Sequence, residues 1–357
     1  MQKILVLLFG ILVTNLAYAV NITFVLPDYK EHKFWEIVAD NIRSMANDSP
    51  YSVDIIHIAD NRFTQYEVIS ELLQSDSKPD YLVYRPFNNT GFQLFDLLEE
   101  HQVKFITLEN VFTPEQAKLA RKPGERFKYW LNQVEYDQSQ GGALLAQSLI
   151  EQHRIEQAKL PIFITGISGT HETLSYNRNN GLLTFFAPEK QITINQIFYM
   201  DFESSRVKTH FKQVIKRYPN TNIVWCAGGQ MALEVLNQLK QHQPVQHKVL
   251  IGGFDWLPDA IEKVSQGELS ALVGGHFLMG NIALQLIASY ENKQIKVKTL
   301  HPLKFELITQ QNAETYLAFI ENRQWRLLDY TAYFTAGASE PYITVKGLIN
   351  QVISAAH

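Results

Sequence analysis

The chain has 357 residues, a formal net charge of −4 and a single cysteine, Cys226. This length allows a large buried core and favours two lobes over one. A lone cysteine excludes an intramolecular disulfide. The charge is slightly acidic and lysine and arginine form no dense patch, so there is no reason to expect a nucleic acid partner.

The N-terminus has the pattern of a secretory signal peptide. Lys3 supplies a positive charge, residues 4–13 form an apolar core, and residues 17–19 (AYA) match an A-x-A cleavage site. The apolar core is shorter than the roughly 20 residues that a membrane span needs. We therefore expect residues 1–19 to be removed and the mature chain to begin at Val20. No cysteine follows the cleavage site, so we expect no lipid anchor.

Strands and helices alternate along the first part of the mature chain. Apolar runs typical of buried strands lie at 21–27, 53–58, 81–84 and 103–108, and helical periodicity lies at 34–45, 66–73 and 92–98. Residues 112–128 are rich in charge and turn residues and predict a surface excursion. Residues 129–134 predict a strand that leads into a second lobe. This alternation implies a parallel sheet covered on both faces, with right-handed crossovers.

The same alternation continues in the second part. The predicted strands are 162–165, 192–199, 223–226, 249–251, 269–273 and 305–308, and the predicted helices are 137–150, 176–186, 207–218, 231–239, 280–290 and 313–319. We predict an α/β fold of two Rossmann-like lobes with parallel sheets, joined by three crossings near residues 134, 273 and 303. The predicted lobes are 20–134 plus 274–303, and 135–273 plus 304–357. The tail from Trp325 is longer than this fold requires.

Residues 249–277 carry the most informative pattern. A buried strand ends in Gly252-Gly253-Phe254-Asp255, then a helical segment, Gly267 and a second strand follow. In open α/β sheets, ligands bind beyond the carboxyl ends of such strands. Asp255 and its neighbour Trp256 are therefore candidate ligand contacts. The alternative for Asp255 is a cap on the following helix, a position that aspartate often occupies.

This order of elements resembles the bacterial periplasmic solute-binding proteins of the ribose and galactose type. The resemblance covers nearly the whole mature chain and is more specific in its order of elements than in its ligand residues. It implies the type I periplasmic binding protein fold. It also implies that Asp255, in the Gly-Phe-Asp motif at a strand end, offers its carboxylate to sugar hydroxyls.

The resemblance implies two groups of contacts from the first lobe. Phe34 and Trp35 stand where the family presents aromatic rings to the sugar, whose C–H faces pack well on aromatic planes. Both also fit the buried face of the following helix, so which one faces the cleft stays open. Glu109 and Asn110 stand where the family has an acidic and a basic residue. The guanidinium is missing, which argues against a plain pentose or hexose. A turn or capping role is their alternative.

Three further contacts are implied around the second lobe. Arg178, within residues 177–181 (NRNNG), resembles an R-x-x-G segment whose arginine reaches the ligand, and a surface position early in a helix is its alternative. Asp137, at the first crossing, resembles a cleft residue but could equally cap a helix. His276 is either a cleft residue or a structural one.

Glycines replace two amide side chains that the family carries. Gly228-Gly229 stands in place of an Asn-Asp pair, and Gly274-Gly275 precedes His276 where relatives have a glutamine. Either the cleft is roomier, or backbone N–H groups beside a helix N-terminus contact the ligand directly.

Searches for catalytic and metal motifs are negative. Residues 166–170 (GISGT) fall short of G-x-S-x-G, and the histidines show no metal-binding spacing. Cys226, at a strand end, fits a core position better than a nucleophile. We expect neither a cofactor nor a metal.

The sequence predicts a periplasmic, monomeric, non-catalytic protein that closes two lobes on a small polar ligand, a sugar or sugar-like molecule. The resemblance implies that an ABC transporter permease receives the ligand. One alternative is a ligand sensor that reports to a membrane sensor kinase or cyclase, as autoinducer-binding relatives do. An exported α/β enzyme that uses the same cleft is an alternative of another class.

Overall fold

The computed structural model describes residues 20–28, 33–87, 92–109, 112–186, 191–242, 247–294, 302–330 and positions 346, 347, 349, 350 and 352. The predicted signal peptide and Asn110 lie outside these residues. In the described part of the chain, no helix has the length and apolar character that a membrane span requires.

The first sheet has five parallel strands in the order β2-β1-β3-β4-β5. They are β1 (Asn21–Pro27), β2 (Ser52–Ile58), β3 (Tyr81–Tyr84), β4 (Lys104–Leu108) and β5 (Trp130–Val134). The strand predicted to lead into the second lobe, β5, is thus the last strand of the first sheet.

The second sheet has six strands in the order β11-β10-β9-β8-β6-β7. They are β6 (Ile162–Ser168), β7 (Ile192–Tyr199), β8 (Ile223–Cys226), β9 (Leu250–Phe254), β10 (Ala271–Gly274) and β11 (Glu306–Ile308). All pairs are parallel except β10 with β11, which is antiparallel. The strands β8, β9 and β10 are buried along their whole length, as expected where helices cover both faces of a parallel sheet.

Helices connect the strands of both sheets. Those up to β5 are α1 (Lys33–Ala46), α2 (Arg62–Gln74), α3 (Gln93–Glu100) and α4 (Pro114–Ala120). The later ones are α5 (Gln138–Glu156), α6 (Thr173–Phe186), α7 (Ser204–Arg217), α8 (Gly229–His242), α9 (Pro258–Ser265), α10 (Met279–Glu291) and α11 (Ala313–Glu321).

One helix was missed by the sequence prediction. The segment expected to be a surface excursion contains α4, which starts with a capping box between Thr113 and Gln116 and has Pro114 in its first turn. These are standard helix-start signals. They were overlooked because the charge and turn residues of the segment dominated the pattern.

Three crossings connect the two sheets, as the sequence predicts. The chain passes from β5 to α5, from β10 to α10, and from α10 back to β11. Two of the crossings are hydrogen-bonded to each other, since Leu303 N donates to Glu135 O at 2.9 Å and Asp137 N donates to Leu303 O at 2.8 Å. This isolated bridge holds the two crossings side by side between the sheets.

The segment after α11 packs on the first lobe. Trp325 is buried, its indole N–H donates to Ser44 of α1, and its carbonyl accepts from Asn281 of α10. The sequence assigned all of 304–357 to the second lobe, so the contacts of Trp325 lie with elements assigned to the first. The predicted lobe boundaries otherwise stay a prediction.

Candidate ligand-binding cleft

A cleft lies where the carboxyl edges of the two sheets face each other. The space inside it, counted out into open solvent, is about 610 Å³. Asp60, Arg85 and Glu109 follow strands of the first sheet, while Asp255 and His276 follow strands of the second. The cleft is therefore built by the rule that ligands bind beyond the carboxyl ends of parallel strands.

Arg85 organises the wall formed by the first lobe. Its Nε donates to Glu109 at 2.8 Å, and its two terminal nitrogens lie 3.3 Å from Asp60 and from Glu172. Burial alone would lower the pKa of Arg85, but the three carboxylates raise it above its ordinary value. Glu172 directly precedes α6 of the second lobe, so this last ion pair spans the cleft.

Arg178 is the corresponding residue of the second lobe, and it is only 3% exposed. Its Nε donates to Gln138 Oε1 at 2.7 Å, its Nη1 donates to the carbonyl of Ala227 at 2.6 Å, and its guanidinium lies over the ring of Phe254 at 4.2 Å. Burial is the main reason that the pKa of Arg178 is lowered.

Asp255 and His276 form a second buried pair beside Arg178. The Nε2 of His276 lies 3.2 Å from Asp255 Oδ1, and Gly229 N donates to Asp255 Oδ2 at 3.0 Å. Burial would raise the pKa of Asp255, but the hydrogen bond from His276 and the nearby charge of Arg178 bring it below its ordinary value. Burial lowers the pKa of His276, and the attraction of Asp255 does not offset this. The stable arrangement is an ionised Asp255 beside a neutral His276.

Aromatic rings line the cleft between these polar groups. Phe34 stacks on His276, with ring centroids 4.3 Å apart and planes 22° from parallel, and contacts the edge of Trp35 at 5.3 Å. Trp35 and Phe202 also line the cleft. Trp35 is buried against the core, whereas Phe34 is half-buried. Both residues of the predicted aromatic pair therefore reach the cleft, and Trp35 contributes to the core as well.

The structure brings most of the predicted contacts together. Those that line the cleft are Phe34, Trp35, Glu109, Arg178, Asp255 and His276. The predicted contact Asn110 lies outside the described residues.

Two predicted contacts lie elsewhere. Trp256 points into the core of the second lobe, where its ring packs on Tyr316 at 4.7 Å. The chain bends at Asp255, whose φ is 69°, and Trp256 is directed into the core instead of the cleft. Asp137 caps α5 by accepting from Gln140 N and forms an ion pair with Lys304 at 2.7 Å. Its capping alternative is the one the structure supports.

Sequence analysis missed several cleft residues, namely Asp60, Arg85, Phe202 and Gln230, and it also missed Glu172, which pairs with Arg85. A signal for some of them was present. Asp60 and Arg85 each come within two residues of the end of a predicted strand, so the carboxyl-edge rule that selected Asp255 also selects them. Glu172, in contrast, belongs to the site only through its pairing with Arg85.

The glycine pairs are explained by packing within the protein. Gly229 N donates to Asp255, so this N–H is engaged inside the lobe. A Cβ at Gly274 would lie 2.3 Å from the ring of Trp256, so the absence of a side chain makes room for that ring. Gly275 has a φ of 99°, a conformation that glycine adopts without strain.

Among the described residues, no group of three or more His, Cys, Asp or Glu is arranged to hold a metal ion. Cys226 is buried, and this burial raises the pKa of its thiol. A thiol in this environment is protonated at neutral pH, which suits a core residue.

The fold and the cleft define a class: two α/β lobes that close on a ligand between them. The sequence profile of a known family, described as a periplasmic binding protein domain, matches residues 22–294. The chain belongs to this family of ligand-binding proteins. The resemblance and the fold class predicted from the sequence are therefore confirmed.

Solved structures with the same fold are numerous. A periplasmic sugar-binding protein from Pseudomonas fluorescens has a TM-score of 0.78 at 21% identity, over 92% of this chain and 99% of that one. An ABC transporter periplasmic solute-binding protein from Actinobacillus succinogenes 130z, with bound D-allose, has a TM-score of 0.71 at 20% identity, over 83% and 100% of the two chains.

A carbohydrate transporter solute-binding protein from Agrobacterium radiobacter, in complex with D-arabinose, has a TM-score of 0.71 at 18% identity, over 86% of this chain and 99% of that one. At these identities the similarity concerns the fold. A search of curated proteins found no match.

Proposed function

We propose that the protein is an exported, non-catalytic solute receptor that closes on a sugar-like ligand and presents it to an ABC transporter permease. The observation that carries this proposal is the composition of the cleft. Charged groups at the strand ends alternate with the rings of Phe34, Trp35 and Phe202. A polyol needs this combination, since its hydroxyls require hydrogen-bonding partners and its C–H faces pack on rings.

The fold supports a mechanism of hinge closure. The paired crossings at Tyr136 and Leu303 form a continuous connection between the lobes, while contacts such as Arg85 with Glu172 join them across the cleft. Closure around a ligand buries it and changes the outer surface that a membrane partner can bind. The related proteins from Actinobacillus and Agrobacterium carry D-allose and D-arabinose, which supports a carbohydrate ligand here.

The proposal also covers the compartment in which the protein acts and its oligomeric state. The signal-peptide pattern of residues 1–19 directs the chain to the periplasm, which is where a permease of this class collects its ligand. We expect the mature protein to act as a monomer. Cell fractionation that finds the uncleaved chain in the cytosol contradicts this part of the proposal.

A thermal-shift screen of the mature chain against a panel of aldoses and amino sugars tests the proposal. A ligand present at 100 times its Kd adds about 2.7 kcal/mol to the free energy of unfolding. Calorimetry then measures stoichiometry, and chromatography shows whether the bound sugar is recovered unchanged. A ligand that is chemically converted would support the exported-enzyme alternative. Absence of any stabilising sugar would contradict a carbohydrate ligand.

Asp255→Asn tests whether the cleft is the binding site. A hydrogen bond to a charged group contributes about 1.5–3 kcal/mol, so loss of the carboxylate should weaken binding about ten- to a hundredfold. The matched control is Asp40→Asn, which makes the same chemical change at a carboxylate that pairs with Arg323 and does not line the cleft. Equal affinities of the two variants would mean that the ligand binds elsewhere.

A further inference from the structure

Carboxylates outnumber cations in the cleft. Among the described residues around it, Asp60, Glu109, Glu172 and Asp255 are acidic, and Arg85 and Arg178 are the fixed cations. Four carboxylates against two guanidinium groups leave two negative charges in excess. His276 does not restore the balance, because burial lowers its pKa and it stays neutral.

The excess is concentrated at the wall of the first lobe. Asp60, Glu109 and Glu172 converge on the single guanidinium of Arg85. Desolvated charges of one sign are costly unless a partner of opposite sign lies close. Asp60 and Glu172 keep part of their side chains exposed, at 32% and 23%, and Asp60 lines the cleft.

The hydrogen-bond inventory leads to the same conclusion. Each side-chain nitrogen of Arg85 contacts a carboxylate, and two of the three nitrogens of Arg178 donate to Gln138 and Ala227. The third nitrogen of Arg178, Nη2, lies 3.4 Å from His276 Nε2, which also lies 3.2 Å from Asp255 Oδ1, so both guanidinium groups are engaged within the protein.

The guanidinium nitrogens of the cleft already have protein partners, whereas its carboxylates can accept further hydrogen bonds. The lining is therefore rich in acceptors and poor in donors, so the ligand must supply the donors.

We propose that the ligand is a cationic polyol, such as an amino sugar, whose ammonium group binds at the Asp60, Glu109 and Glu172 carboxylates beside Arg85. This inference rests on the proposed function and narrows its ligand class. An ammonium group has three donors and no acceptor, which complements this wall. An anionic sugar would add like charge to a site that already has an excess of it.

Matched sugars of one stereochemical series test this directly. Calorimetric titration of the mature chain at pH 7 compares D-galactosamine, D-galactose and D-galacturonate, and the gluco series repeats the comparison. In the series that binds, we expect the amino sugar to bind about tenfold tighter than the neutral sugar, equal to about 1.4 kcal/mol. The acidic sugar should bind most weakly.

Variants locate the effect. Glu172→Gln and Asp60→Asn each remove one negative charge, and each should reduce the ratio of the neutral-sugar Kd to the amino-sugar Kd towards one. Glu268→Gln is the control, because that carboxylate pairs with Lys240 and Lys263 away from the cleft, and it should preserve the ratio.

The outcomes separate the two proposals. A neutral sugar that binds as tightly as its amino analogue overturns the cationic ligand and leaves the sugar receptor intact. An unchanged ratio in both cleft variants also overturns it. Failure of these sugars and of every aldose and amino sugar in the thermal-shift panel contradicts the sugar receptor itself, and the cationic ligand falls with it.

Discussion

The two walls of the cleft are both organised by a buried arginine, but the arginines have different partners. Arg178 is held by Gln138 and the carbonyl of Ala227, both in its own lobe. Arg85 is held by carboxylates, and one of them, Glu172, belongs to the opposite lobe. The partners of Arg178 therefore stay in place when the lobes separate, whereas the ion pair of Arg85 with Glu172 must break.

This difference assigns different roles to the walls. The second lobe presents a preorganised surface, because its polar groups are fixed by neutral acceptors and by the neighbouring ring of Phe254. The first lobe presents charged groups whose partners change with closure and with the arrival of a ligand. A receptor of this kind combines a fixed surface for orientation with an adaptable one that couples binding to closure.

The largest effect on stability is expected from loss of Arg178, which organises the wall formed by the second lobe. Arg178→Ala leaves Gln138 Oε1 and the carbonyl of Ala227 without their donor and leaves Asp255 without a nearby cation. Removing one partner from a buried charged network costs about 3–5 kcal/mol. Urea unfolding of the ligand-free mature chain measures this loss.

Arg206→Ala is the matched control for that experiment. Arg206 forms ion pairs with Asp201 and Glu203, and its side chain is about half exposed. Exposed ion pairs contribute about 0–1 kcal/mol. If Arg178→Ala lowers the free energy of unfolding no more than Arg206→Ala does, Arg178 does not hold the wall formed by the second lobe in place.

An effect of intermediate size is expected from the dependence of protein stability on pH. The pKa of His276 is lower in the folded protein than in the unfolded chain, so only the unfolded chain binds this proton at mildly acidic pH. Stability should therefore be maximal above the unfolded value of about 6.5 and fall by up to about 1.4 kcal/mol per pH unit below it. Asp255, with a lowered carboxyl pKa, titrates below this window.

Unfolding curves between pH 7.5 and pH 5 check this expectation. Burial also lowers the pKa of His153, so its effect has the same sign and must be separated. Substitution of His276 by Gln should remove part of the slope, and His153→Gln should remove another part. A slope that His276→Gln leaves unaltered would show that this imidazole is already protonated in the folded protein, contrary to its burial.

The smallest effect is expected from weakening the ion pair of Arg85 with Glu172, at the wall formed by the first lobe. Glu172→Gln weakens the ion pair with Arg85 across the cleft, a pair that is partly exposed and contributes about 1 kcal/mol or less. This corresponds to a shift of up to about fivefold towards open conformations. Small-angle scattering should show a larger radius of gyration for the ligand-free variant, and a bound ligand should reduce it without changing the secondary structure.

Asp259→Asn is the control for closure. It removes the ion pair of Asp259 with Lys33, which also joins the lobes but is largely exposed. We expect no measurable expansion from it. Equal radii for Glu172→Gln and the wild-type chain would mean that Arg85 does not couple closure to the cleft.

Most of the fold was predictable because its signals are local. Strands β1, β3, β7 and β8 occupy the predicted residues without any shift of their ends. Three of them, β1, β3 and β8, are short and almost fully buried apolar runs, a pattern typical of a buried parallel strand. The miss at α4 has a local cause as well, because its capping box was outweighed by the surrounding charge.

The candidate site was predictable only in part. Asp255 and His276 follow strands of a parallel sheet and both line the cleft, although the sequence left a capping role open for Asp255 and a structural role open for His276. Arg85 meets the same criterion, since it directly follows β3. Glu172 could not be identified, since its role depends on an arginine 87 positions away in the sequence.

The sequence by itself determined the alternation of elements and the edge of each sheet at which polar residues accumulate, because both follow from the periodicity of apolar side chains. The tertiary structure alone decided which side chains meet there. Trp256 occupies the core because Gly274 leaves space for its ring. Arg85 joins the two lobes because closure brings Glu172 within 3.3 Å of it. Such contacts depend on packing between distant segments, which no local pattern specifies.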